Sequence, residues 1–368
     1  MIKLKTVKEK TAINCADLIK KYFNNIDYES YMRANKLEQL SSFPQFSKSY
    51  GPQNYLFDDF TMSPDQMSFR IETLSNYEWF KYVNIISSHI NSEGLNGREL
   101  KLGVLETNTN KWIGFIRVSS PLINMKPRND LLQNKTPNLT QMNRHILNGQ
   151  TIVPAQPFGF NYLGGKLLAL ICSSHWLRKQ FNKKFNTDIL MFETTSLYGN
   201  SKALSQYDGL KPFIRNKGLT DSKFVPLIQG DLFKQVKEAI KNEVGYLCKE
   251  TASNRKLKIQ TKCFQIIKNS LPKNKKVSFL KTLKVAEELN EQKRYYVSNY
   301  GFSNYIDVIN QKSNQLVKDQ NYDKHKLNNL IAWWKTKAIK RFENIKSENR
   351  LRNEQEVWTE NKQIQIIR

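Results

Sequence analysis

The 368-residue sequence contains no run of apolar residues near the roughly 18 that a membrane-spanning helix needs, so no membrane partner is expected. Its opening, MIKLKTVKEKTAIN, lacks the apolar stretch of a secretory signal, and no export signal is expected there. Cysteine is scarce. Cys15, Cys172, Cys248 and Cys263 are scattered, with no C-x-x-C or Cys/His ligand spacing. That argues against a zinc site and a disulfide framework, and it fits a reducing cytoplasm, the host's if the chain is phage-encoded. Gly164-Gly165-Lys166 lacks the upstream Gly and the following Ser or Thr of a P-loop. His145 and His175 lie outside any HExxH pattern and lack an evident Asp or Ser partner, so no metal and no Cys–His nucleophile pair are expected.

Acid is the other shortage. Lys and Arg number 58 against 33 Asp and Glu, a formal net charge of +25 with a pI near 9.7. On a chain with 39% hydrophobic and 11% aromatic residues this describes a folded protein with a polyanionic partner. Nucleic acid, DNA ahead of RNA, is the commonest one. A basic enzyme from a lysine-rich proteome is the alternative. No acid falls between Asp130 and Asp188, or between Glu250 and Glu287, where ten basic residues lie. Basic groups without acidic neighbours are free to replace counterions along a phosphate backbone. Arg255, Lys256, Lys258, Lys273, Lys275 and Lys276 are the candidates in the second window. Lys337, Lys340 and Arg341 are candidates in IAWWKTKAIKRFENIKSENRLR (331–352). For any single lysine a solvated helix face is the better reading, and for Trp333 and Trp334 so is core anchoring.

Periodicity predicts helices over 7–24 and 77–90, with a Pro- and Gly-bearing irregular segment over 41–70 between them. ELKLGVLET (99–107) and KWIGFIRVS (111–119) read as a hairpin closed by Asn108-Thr109-Asn110. Residues 120–150 read as a long connection. TIVPAQ (151–156) reads as a strand with Pro154 at an edge, bulge or end, and FGFN (158–161) as a tight loop. A helix over 162–185 with Asn161 as its N-cap follows, then a buried strand over 188–195. Residues 201–216 read as a broken helix and 224–228 as a last strand. Beyond 229 the pattern is helical: 231–250, 255–270, 276–291, 303–319 and 324–353. Three domains are expected: a helical and irregular segment (1–98), an α/β core (99–228) and a basic helical region (229–368).

The chemistry concentrates in 151–220. A helix N-terminus directly after a strand presents free N–H groups to an anion, and Lys166 adds a full charge there. Gly164 and Gly165 in its first turn point to close approach by a ligand or, equally, by packed protein. Glu193, Thr195 and Ser196 lie at the end of a buried strand, where α/β sheets hold ligands. Glu193 is a candidate general base, and Tyr207 and Asp208 are candidate acids or positioning groups. Structural alternatives stand beside each: a salt bridge from Glu193 to Arg117 or Lys166, helix capping by Thr194–Ser196, and a core role for Tyr207.

Gln156-Pro157-Phe158-Gly159-Phe160-Asn161 resembles the Q-x-x-G-x-G/A loop of the GCN5-related acetyltransferase (GNAT) fold, with Asn161 where Gly or Ala is expected. The resemblance implies a mixed sheet whose strand splays open after a hairpin. It implies acetyl-CoA or another acyl donor held by Gln156, Gly159, Asn161, Gly164, Gly165 and Lys166, and a Tyr near the thiol, here Tyr207. Ile152-Val153-Pro154, Asn161–Gly165, Glu193-Thr194-Thr195, Tyr207 and Gly218-Leu219-Thr220 also resemble the domain of unknown function found in the Druantia anti-phage system and in transposon-linked proteins. The Mom-type phage proteins that modify adenine in DNA are a related group. Two readings follow. One is a GNAT-like acyltransferase acting on a nucleobase amine in phage or mobile-element DNA, which the cluster of Glu193, Thr195, Ser196 and Tyr207 favours. The other is a non-catalytic nucleic-acid-binding protein on a GNAT-like scaffold, which the departure at Asn161 favours.

Overall fold

The computed structural model describes residues 5–24, 54–88, 97–196, 205–220, 225–228, 230–247, 255–288 and 293–358, with isolated positions between 30 and 40. Among the described residues the elements run α1 (Glu9–Asn24), β1 (Phe69–Thr73), α2 (Asn76–Ile86), β2 (Glu99–Glu106), β3 (Lys111–Ser119), α3 (Lys126–Leu131), α4 (Leu139–His145), β4 (Ile146–Pro154), α5 (Phe158–Tyr162) and α6 (Gly164–Cys172). They continue with α7 (His175–Phe185), β5 (Met191–Thr195), β6 (Arg215–Leu219), α8 (Gly230–Val244), α9 (Arg255–Ser270), α10 (Lys273–Glu287), β7 (Arg294–Ser298), α11 (Tyr305–Ile309) and α12 (Leu327–Ser347). No described helix is long and apolar enough to cross a membrane.

The chain divides into two units. The smaller holds residues 1–43 and 222–291, and its described elements are helices. Ala12, Cys15, Ala16, Ile19 and Phe23 recur at helical spacing along α1 and bury against Val236 and Ile240 of α8, Ile259, Cys263 and Ile267 of α9, and Phe279 of α10. The Glu243 carboxylate accepts from the Lys8 N–H at 2.7 Å and the Thr11 hydroxyl at 2.6 Å, tying α8 to the start of α1.

The larger unit, residues 44–221 and 292–368, is a mixed α/β fold on a seven-stranded sheet of order β1-β2-β3-β4-β5-β7-β6. Its strands come from all three sequence segments 1–98, 99–228 and 229–368. The β2–β3 hairpin forms as expected, its turn held by Glu106, whose carboxylate accepts from the N–H groups of Asn108 (3.1 Å) and Thr109 (2.8 Å). Ser75 and Glu78 form a reciprocal capping box that starts α2.

Among the described strands only β4 and β5 run parallel, paired from Ile146↔Met191 to Gly149↔Thr194. Beyond that point β4 follows β3 as far as Pro154, while Thr195 of β5 pairs with Tyr295 of β7. The parallel pair therefore opens. Gln150 is the cause: Val118 faces Gly149 and Arg117 faces Thr151, so Gln150 is an extra residue bulged out of β4. A bulge bends its strand and ends pairing on the far side. Pro154, without an N–H, closes the strand.

Several local expectations are corrected. The 120–150 connection carries α3, α4 and the first half of β4. FGFN is a single helical turn, α5, not a loop. The helix over 162–185 is two helices, because the Ser173 and Ser174 hydroxyls bond back to the Leu170 (2.9 Å) and Ile171 (2.7 Å) carbonyls and Ser174 caps α7. Asn161 is not an N-cap; Leu163 holds that place before α6 at φ 56°, without a side-chain cap. The described part of 201–216 is turns leading into β6. Residues 225–228 are not a strand, and the last described strand is β7, inside the region read as helical. Ile90, Pro44, Gly51, Pro52, Cys248 and residues 201–204 lie outside the described residues.

Candidate functional site

The opening between β4 and β5 is a crevice of about 140 Å³, walled by Gln150–Pro154, Gln156, Thr195, Ser196, Ser205–Tyr207 and the end of α2 at Ile86–Ser88. The bulge places the Gln150 side-chain oxygen there, buried and without a hydrogen-bond partner. Tyr207 is the sole ionisable side chain among the described residues of this lining. Burial raises its pKa, against hydrogen bonds with Thr194 and Gln206, so it stays a neutral phenol. Of the candidates, the structure brings Gln156, Thr195, Ser196 and Tyr207 to this crevice.

Glu193 is placed elsewhere. Tyr295 and Tyr296 are successive residues of β7 and so point to opposite faces of the sheet. The Tyr295 hydroxyl donates to Glu193 at 2.7 Å, whereas the Tyr296 hydroxyl donates to Asp208 at 2.8 Å and its ring lies 5.1 Å from that of Tyr207. Glu193 thus lies on the face opposite Tyr207 and Asp208. It is fully buried and paired with Arg128 at 3.1 Å, not with Arg117 or Lys166. Arg117 pairs with Glu99. The expected proton-transfer cluster is therefore split by the sheet.

The other candidates are held by the protein's own chain. Asp208 accepts from the Ser205 N–H (2.9 Å), Arg294 (2.9 Å) and Tyr296, and the Lys166 ammonium donates to the Asp208 carbonyl. Burial lowers the Lys166 pKa. In the 156–161 turn the Gly159 N–H donates to Ala155 O and the Asn161 N–H to Pro157 O, both at 2.8 Å, and the Phe160 N–H donates to the Gln156 side chain at 3.0 Å. Three N–H groups that would cradle a pyrophosphate are therefore engaged. Asn161, fully buried, exchanges both side-chain hydrogen bonds with the Arg352 backbone, donating at 2.8 Å and accepting at 3.2 Å. This turn does not fit the acetyl-CoA cradle that the GNAT resemblance implies. The glycines serve close packing: a Cβ on Gly159 would meet the Gln156 amide, on Gly164 the Phe158 ring, and on Gly165 the Gln206 amide, which itself donates to Ile152 O at 3.1 Å.

The basic candidates divide. Lys258, Lys273 and Lys275 are exposed, Lys256 and Lys276 half-buried, and Lys256 sits over the Phe233 ring; the Arg255 side chain lies outside the described residues. Lys337 and Lys340 are exposed on α12, Lys337 beside Trp333. Arg341 is half-buried, its guanidinium 4.7 Å from the Phe160 ring centre, with Arg352 at 3.9 Å. Trp334 is a core anchor, as read, donating to Tyr162 O at 3.0 Å.

Sequence reasoning missed Arg128, Tyr295, Tyr296, Arg294 and Gln150. The aromatic and β-branched run Tyr295-Tyr296-Val297 was the available strand signal for the tyrosines. Among the described residues no group of three or more metal-ligating side chains comes together.

These features define a mixed α/β protein with a bulge-opened crevice at its parallel strand pair. Residues 22–208, just over half of the chain, match the family model of Druantia protein DruA, and the chain belongs to that family. The match takes in part of the N-terminal segment as well as the core. No curated protein and no solved structure matches the chain.

Proposed function

We propose that this chain serves Druantia-type anti-phage defence as a non-catalytic, duplex-DNA-binding protein built on a GNAT-like scaffold. One observation carries the reading. Lys258, Lys262, Lys268, Lys273, Lys275, Lys281 and Lys284 of α9 and α10 are exposed and form no ion pair among the described residues. Lysines one turn apart, such as Lys258 and Lys262 or Lys281 and Lys284, share a helix face and present repeated charge to a phosphate backbone.

The scaffold reading is supported by a strand that splays open after a hairpin and is followed by a Gln-x-x-Gly turn. The non-catalytic reading is supported by the separation of Glu193 from Tyr207 and by the engagement of the turn's N–H groups. The test is anisotropy titration of the full chain with duplex DNA and with duplex RNA of the same sequence, beside nucleoside mass spectrometry of DNA from expressing cells. DNA binding with unmodified nucleosides is expected. A modified base that disappears in Tyr207→Phe would overturn the non-catalytic reading in favour of a Mom-like nucleobase acyltransferase. Absence of DNA binding would overturn the binding reading.

A further inference from the structure

The larger unit holds a second cavity, about 470 Å³, that shares no lining residue with the β4–β5 crevice. It opens between the end of α4, α7, the 186–190 segment and the 308–316 segment. Leu190, Val308 and Leu316 give it apolar walls, and side-chain amides, Gln311 and Asn314 among them, stand around these.

Its charges do not balance. Asp188 is the one carboxylate among the described lining residues, and the Arg144 guanidinium holds it, with Nε at 2.8 Å. Arg178 is left over. Its guanidinium stacks 4.9 Å from the Phe302 ring centre and Nη1 donates to Ile189 O at 3.3 Å, while Nη2, which is not buried, has no acceptor among the described residues. A guanidinium fixed by stacking, with an unused donor, is a preorganised phosphate partner.

His145 adds a defined acceptor. Its Nδ1 lies 2.7 Å from the Asp188 carbonyl, which only accepts, so Nδ1 carries the proton and Nε2 the lone pair. Burial lowers the His145 pKa and keeps the ring neutral. The cavity thus combines one uncompensated cation, an imidazole acceptor, amides that donate and accept, and aliphatic walls. Its size falls within the usual range of roughly 300–1,000 Å³ for small-molecule sites.

We propose that this cavity binds a nucleoside monophosphate, with the phosphate at Arg178 and the base between the apolar walls and the amides. Side-chain amides pair with base edges, and the shared chemistry with free phosphate is the Arg178 contact alone. The site uses no residue of α9 or α10 and stands or falls independently of the DNA-binding reading.

The experiment is calorimetric titration of the full chain with AMP, GMP, CMP and UMP, with adenosine and inorganic phosphate as separate arms. At least one monophosphate is expected to bind at one site per chain, about tenfold or more tighter than adenosine or phosphate. Gln311→Glu/Asn314→Asp adds two charges at exposed positions without changing shape. It is expected to weaken that monophosphate about tenfold or more with thermal unfolding unchanged. Arg178→Ala should weaken that monophosphate by a similar factor, with some loss of stability from the lost Phe302 and Ile189 contacts. Equal affinity for inorganic phosphate, no binding by any monophosphate, or full affinity in the charge-adding variant would each overturn the proposal. Loss of DNA binding in an α9–α10 variant with monophosphate binding retained would touch the DNA reading alone.

Discussion

Arg128 Nη1 and Glu193 Oε1 form an ion pair at 3.1 Å, and both side chains are fully buried. The same guanidinium donates to the Leu122 carbonyl at 2.7 Å and the Ile123 carbonyl at 3.1 Å. Glu193 therefore secures a loop through Arg128. Burying such a pair is costly, and removing one partner leaves the other charge stranded. Glu193→Gln is expected to destabilise the larger unit by about 3–5 kcal/mol in urea unfolding. A hydrophobic Arg128→Met/Glu193→Leu pair should lose much less. Equal losses from both would contradict a stranded charge as the cause.

Asn161 ties the 352 backbone to α5, where the GNAT resemblance expects Gly or Ala. Asn161→Gly removes both bonds and is expected to cost about 1–3 kcal/mol. Hydrogen exchange should speed up at the Arg352 amide. The change should not create acetyl-CoA binding, because the Gly159 and Phe160 N–H groups stay engaged. Calorimetry showing tight acetyl-CoA binding by the wild type or this variant would overturn the packing role assigned to the turn.

His175 Nε2 donates to the Tyr322 carbonyl at 2.8 Å, and burial lowers the pKa of the ring from 6.5 to about 4. A depressed histidine favours the neutral folded state. Between pH 6.5 and about 4 the unfolded chain takes up the proton first, so stability falls as the pH drops through that window. His325 and His145 shift the same way. Thermal unfolding across this range should show the loss, and His175→Gln should make it shallower. A pH-independent midpoint would contradict the assignment.

What the sequence made legible was local. The hairpin at 99–119, the first helix and Pro154 at a strand end follow from alternation, helical spacing and a missing N–H. The candidate site is harder to read because proximity along one crossover does not fix which face of the sheet a side chain takes. Glu193 and Tyr207 belong to neighbouring elements, yet pleating sends Glu193 to one face, and the 205–208 turn approaches the other. That division is made visible by Tyr295 and Tyr296, a strand read as part of a helical region because its five residues lie between long helical stretches. The Gln150 bulge leaves no periodic trace, since one extra residue shifts the alternation without breaking its apolar content.

The most direct measurement is the slope of log affinity for duplex DNA against log salt, compared between the wild type and Lys273→Gln/Lys275→Gln/Lys276→Gln. Lys273 and Lys275 are exposed, and the half-buried Lys276 in the first turn of α10 has no ion pair among the described residues, so the triple variant should keep its thermal midpoint. A steep negative slope is expected for the wild type, with a flattening of up to about 0.9 for each phosphate that the variant no longer neutralises. An unchanged slope in a folded variant would contradict phosphate binding by this stretch, and a flat wild-type slope would contradict the DNA-binding claim itself.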